Sequence, residues 1–272
     1  MASAAAAVRA AKVSVRDDAL TVCAISLLAW IFADGTHEAI GHGLTALLTG
    51  AQSGVVSTVA WSSVYDSRLV AAGGPVLNLV EAGVLWVALR SAKRASPQTR
   101  FFLFASCTFC LFTATGYFLL SGVTNFGDWA QVIAGVRPHW MWQALLAVVG
   151  AASYFLSMRA MGGALVRYVG VSREDQRRMK KLTWLPYFSA LALSVAGGLM
   201  NPLGITLVLE SALPAAAGGN CGLLWLRHYV ARGVAPMRES DGVSRSNVWI
   251  ATAAVLSLAF VFVLGRGITV HR

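Results

Sequence analysis

The sequence predicts an all-α polytopic membrane protein of six or seven transmembrane helices, with a short β-hairpin or extended loop after the first. Three observations carry that expectation. Of 272 residues, 57% are hydrophobic and only 12% are charged, about half the charge of a soluble domain. No water-soluble fold of this length hides so much apolar surface. The apolar residues fall into runs close to the ~20 needed to cross the hydrocarbon core, and the basic residues cluster in alternate connections. Disorder, a disulfide scaffold and a fibrous repeat are excluded by the same composition.

Taken in order, the candidate spans are 19–49, 68–90, 101–121, 139–160, 183–200, 203–226 and 247–265. The first is long for one crossing and is interrupted by Asp34, Gly35, His37, Glu38 and His42. The sixth holds Glu210 and Pro214 and is the weakest apolar run. Between the first two spans, the Ser-, Thr- and Val-rich stretch 51–66 alternates in part and reads as the hairpin or extended loop. Segments 170–182 and 229–246 read as charged loops.

With the N-terminus placed inside, eighteen of the twenty-two Lys and Arg residues fall in inside segments; Arg68, Arg137, Arg266 and Arg272 fall outside. Such a bias sets orientation. The expectation is therefore a bacterial inner (plasma) membrane protein with a cytoplasmic N-terminus. Residues 1–18 form a cytoplasmic tail leading into a retained first span. Trp61, Tyr65, Trp129, Trp140 and Trp142 would belt the outer interface, and Trp184, Tyr187, Trp225, Tyr229 and Trp249 the inner one. The formal charge of +10 is thus explained by loops facing the cytoplasm, and nucleic acid is not an expected partner.

Ionisable groups inside a bilayer are costly and mark function by default. The densest group is Thr36-His37-Glu38-Ala39-Ile40-Gly41-His42-Gly43, with Asp34 just before it. Two imidazoles beside carboxylates in an apolar helix suggest zinc. A hydrolytic zinc site takes three protein ligands and leaves one position for a water, whose proton a nearby Glu accepts. Elsewhere the candidates are bland. Cys23, Cys107, Cys110 and Cys221 read as packing residues despite the C-x-x-C spacing of the middle pair. Glu210 could line a polar cavity, and Glu81 stands three residues after Asn78 on one helix face.

The His37–Gly43 string resembles the active-site helix of the site-2 protease family, the intramembrane zinc metalloproteases, whose motif is His-Glu-x-x-His. Gly73-Gly74-Pro75-Val76-Leu77-Asn78 resembles the family's Gly-Pro-x-x-Asn segment on the following helix, and Asn125-Phe126-Gly127-Asp128 resembles the later segment that supplies the third zinc ligand. The 51–66 stretch matches the family's β-rich insertion. Together the likeness covers roughly residues 30–135. It implies zinc held by His37, His42 and Asp128, Glu38 as catalytic general base, and Asn78 at the substrate. The implied activity is hydrolysis of a peptide bond in a membrane-protein substrate, in or near the lipid bilayer. By this reading, 19–135 is the metal-site core and 136–272 supplies additional transmembrane helices.

The chain departs from the family pattern in three ways. Its histidines stand at i and i+5 rather than i and i+4, so on a regular helix they point about 140° apart. A π-bulge at Gly41 would bring them together; alternatively Glu38 and His42, at i and i+4, are the ligand pair and His37 stands behind. Asp128 is followed by Trp rather than closing a Leu-Asp-Gly ending, and it also suits a helix N-cap. Finally, charge places the site in the outer half of the membrane, whereas the family holds zinc nearer the cytoplasm. Two rival activities follow from these departures: a membrane metalloenzyme acting on a lipid or lipophilic substrate, or a non-catalytic descendant of the protease scaffold.

Overall fold

A computed structural model describes residues 16–169, 173–230 and 242–272, with side chains in all of these but 166–169 and 173–176. Most of the expected N-terminal tail and much of the 229–246 segment lie outside the described residues. Among those described, seven helices are long and apolar enough to cross a membrane. They are α1 (Ala19–Thr49), α2 (Arg68–Ser91), α3 (Pro97–Thr124), α5 (His139–Val169), α6 (Arg173–Met200), α7 (Ile205–Tyr229) and α8 (Asn247–Leu264). A short helix, α4 (Asp128–Val132), sits between α3 and α5. The chain is an all-α membrane protein.

Local chemistry sets the helix ends. Asp18 caps α1 by accepting from the Thr21 N–H at 2.8 Å, Ser67 caps α2 through the Val70 N–H, and Ser96 caps α3 ahead of Pro97 in its first turn. The Thr21 hydroxyl, with the Thr21 N–H, holds the Asp18 carboxyl below the ordinary Asp value. Asn125, in the left-handed region at φ 54°, stops α3.

At the centre, α3 carries Phe104, Phe109 and Phe112 into the core, and Trp30 of α1 meets Phe109 edge-on with centroids 5.3 Å apart. Lipid offers no hydrophobic drive between helices, so close backbone approach matters instead. A Cβ on Gly122 of α3 would stand 2.3 Å from the Ala147 nitrogen of α5, and one on Gly150 of α5 would stand 2.2 Å from the Leu119 nitrogen.

The 51–66 stretch folds as a hairpin. β1 (Ser53–Val56) pairs antiparallel with β2 (Trp61–Ser62), Val55 opposite Ser62. The sequence reading contained no third strand, yet β3 (Ile268–His271) returns from the C-terminus to pair antiparallel with the other edge of β1. One further expectation needs correction. Much of the expected 170–182 loop is helical, since α6 starts at Arg173, and α5 runs past the expected end of its span at 160 to Val169; Arg and Lys are good helix formers once clear of the lipid. The sixth span is present, as expected, but is not a regular helix. It passes through α, π and 3-10 turns around Pro214, because Pro lacks the N–H and blocks the preceding turn.

Consecutive spans alternate in direction, giving the molecule two faces. One holds the sheet and α4. On the other, Asp17 accepts from Arg178 Nε at 2.7 Å and Nη2 at 3.0 Å, and from the Val243 N–H at 2.8 Å. Gln98 on the same face donates to Ser244.

Candidate metal centre

The π-turn is real and falls on the histidines. Residues His37–Leu44 form a π-helical segment inside α1, whose i→i+5 repeat stacks residues five apart. The His37 and His42 rings stand 4.7 Å apart, with their Nε2 atoms separated by 3.1 Å. Three glycines make room for this turn against α2. A Cβ on Gly41 would stand 2.5 Å from Gly74 Cα, and one on Gly73 would stand 2.0 Å from the Gly41 oxygen. A Cβ on Gly74 would lie 2.5 Å from both Nε2 atoms. The Gly-Gly-Pro run of α2 is therefore the floor under the two imidazoles.

Asp128 comes to the same point from the start of α4. Its Oδ2 lies 3.4 Å from His37 Nε2 and 3.7 Å from His42 Nε2. It is not the helix cap, because Gly127, with φ 86°, occupies that position and Asp128 is the first helical residue. The glycine lets the chain turn so that the carboxylate points back at α1. Asp128 lies outside the spans.

The hydrogen bonds around the histidines decide which lone pairs are free. His37 Nδ1 is 2.6 Å from Asn78 Oδ1, and His42 Nδ1 is 2.7 Å from the Val70 carbonyl. Both partners are acceptors, so each Nδ1 carries the proton and each Nε2 presents a lone pair. Asp128 Oδ2, buried, has no hydrogen-bond donor. Three acceptors thus converge with nothing between them to donate, a repulsive arrangement unless a cation joins them. Donors about 2.0–2.2 Å from one tetrahedral metal stand about 3.3–3.6 Å apart, and the observed 3.1, 3.4 and 3.7 Å bracket that edge. Among the described residues, His37, His42 and Asp128 are the one group of three such side chains placed to hold a metal ion.

Glu38 stands beside this triad and outside it. It is only 5% exposed, and its Oε2 has no hydrogen-bond partner. It faces a cavity of about 350 Å³ that His42, Tyr117, Asp128 and Glu210 also line. The arrangement brings together a triad placed to hold a metal ion, a carboxylate with a free oxygen and an open cavity. Pairing Glu38 with His42 as ligands, and leaving His37 behind, does not match this geometry.

Asn78 needs a correction. Expected at the substrate, it is fully buried behind His37 instead, with Oδ1 on His37 and Nδ2 donating to the Ala33 carbonyl at 3.0 Å. Both ends of its amide are engaged, so it orients the imidazole, a frequent outer-shell arrangement around metal-bound histidine. Glu81 extends the chain, accepting from the Thr36 hydroxyl at 3.0 Å and lying 3.4 Å from Asn78 Nδ2.

Some participants escaped the sequence reading. Tyr117 of α3 stacks on His37, with centroids 5.5 Å apart and planes at 26°; a tyrosine in an apolar run was the available clue. The Val70 carbonyl left no trace at all, since every residue has one. Glu210 does line the cavity, and its neighbour Ser211 ties α7 to the hairpin by donating to the Val59 carbonyl at 2.6 Å. The cysteines are free, Cys107 and Cys110 buried and Cys221 exposed.

Fold and site together define a polytopic α-helical membrane protein with a His-His-Asp group able to bind a metal. Comparison with family models, with curated proteins and with solved structures returns no match to this chain.

Proposed function

We propose that this protein is a membrane-embedded zinc metalloprotease of the site-2 type, hydrolysing a peptide bond in or near the bilayer. One observation carries the reading: three uncompensated acceptors, His37 Nε2, His42 Nε2 and Asp128 Oδ2, converge beside a buried carboxylate that is not one of them. Two histidines and one carboxylate would also suit ferrous iron. What favours zinc is Glu38, because a carboxylate held next to the metal ligands and open to the cavity serves hydrolysis. Bound there, zinc would activate a water molecule and polarise the scissile carbonyl.

The chain's own residues do the rest. Glu38 removes the proton of the attacking water and returns it to the leaving amine. Asn78 and the Val70 carbonyl hold the two imidazoles in the tautomer that frees Nε2. The hairpin packs against the π-turn that carries Glu38. The proposed orientation puts the Asp17 face in the cytoplasm and the cavity towards the outer side, as the eighteen-to-four division of Lys and Arg favours.

The test joins composition to chemistry. Full-length protein purified in detergent should hold close to one zinc, and His42→Ala should lose it. Single-span membrane proteins co-expressed with the wild type should yield a truncated product that Glu38→Gln does not. Wild-type protein that takes up no zinc would sink the proposal, and equal cleavage by the two forms would remove Glu38 from the mechanism.

A further inference from the structure

With Asn78 locked behind His37, the cavity still needs a donor for the substrate oxygen that becomes negative when its carbonyl is attacked. Such donors, fixed in advance, are usually the largest single contribution to acyl-group hydrolysis. Several hydroxyls around the cavity are already committed: Ser63 donates to the Tyr65 carbonyl, Tyr65 to Thr49 and Ser211 to Val59. Tyr117 is not. The residue is half-buried, and its hydroxyl has no hydrogen-bond partner among the described residues. The ring is held flat against His37, and the side chain lines the cavity beside Glu38 and Asp128.

We propose that Tyr117 is a further catalytic residue of this site, its hydroxyl donating a hydrogen bond to the developing oxyanion of the substrate. The inference rests on the hydrolytic reading above. Stacking on a metal ligand fixes the ring before substrate arrives, so the donor costs little reorganisation during the reaction. The same stacking separates the two roles the residue can have: Tyr117→Phe keeps the ring against His37 and removes only the hydroxyl.

The experiment uses full-length protein in detergent, loaded with cobalt, and follows its visible bands during titration with acetohydroxamate. That probe presents a charged oxygen to the site without turnover. Tyr117→Phe should keep wild-type cobalt content and bands yet raise the Kd for acetohydroxamate about tenfold, equivalent to ~1.4 kcal/mol. A wild-type Kd in Tyr117→Phe, with impairment only in Tyr117→Leu, would assign the residue to bracing His37 and overturn the inference alone. Wild-type protein showing no cobalt bands would overturn the metal reading itself, and this inference with it.

Discussion

Gly74 is a residue whose side chain matters by being absent. Any Cβ there would lie 2.5 Å from both His37 Nε2 and His42 Nε2, where the proposed metal sits. Gly74→Ala should therefore abolish zinc binding while leaving a folded, membrane-inserted protein, measured by metal analysis beside gel filtration. Full zinc content in that variant would mean that the floor of the site is placed differently. Asn78 predicts a graded effect. Asn78→Ala removes the acceptor of the His37 Nδ1 hydrogen bond but no metal ligand, so zinc affinity should fall about 10–100-fold, the usual scale for such outer partners. A competition titration with a chelating dye would read the change, and unchanged affinity would leave Asn78 as packing. Glu38 lies at the other extreme: Glu38→Gln keeps size and zinc but should cut turnover by ~10² or more, the scale of losing a positioned acid or base.

Among the elements, α1 and the hairpin carry the site, and each leans on something distant. The π-turn of α1 exists only against the glycine floor of α2, which lets two backbones approach within what side chains would forbid. The hairpin packs against the π-turn that carries Glu38, while its central strand β1 is held on the far side by β3, more than 200 residues later. A two-stranded hairpin is marginal alone. Removing residues 268–272 should therefore speed amide hydrogen exchange at Val55 and Val56 and weaken cleavage, with zinc content unaffected because no ligand comes from the sheet. Protection equal to wild type would show that β3 contributes nothing to hairpin order.

For the molecule as a whole, the Asp17 face is the tie between its beginning, middle and end. One buried carboxylate joins the start of α1, Arg178 of α6 and the segment before α8, with the Lys181 ammonium on the Asp17 carbonyl. Breaking a buried pair leaves an uncompensated charge and costs about 3–5 kcal/mol. Asp17→Ala should lower the thermal midpoint in detergent markedly, although Asp17 is far from the cavity; a shift within error would mean that water or lipid replaces the carboxylate freely. Orientation has its own test. In a Cys221→Ser background, a cysteine at Val64 should react with an impermeant thiol reagent from outside, and one at Gln98 only after the membrane is opened. The reverse pattern would invert the topology.

What the sequence determined was whatever depends on composition and on near neighbours. Apolar run length marked seven crossings, because a bilayer imposes that length on any helix within it. The i, i+5 spacing of His37 and His42, with Gly41 between them, announced that a regular helix could not bring both imidazoles to one point. The tertiary structure decided the rest. Nothing near Asn78 says whether its amide meets a substrate or an imidazole; that depends on where α2 crosses α1. No local pattern reveals that Ile268–His271 closes the sheet begun at Ser53, or that Tyr117 of α3 lies flat on His37. Pairings across such separations leave no periodicity in the chain, because they depend on which faces the packed helices turn towards one another.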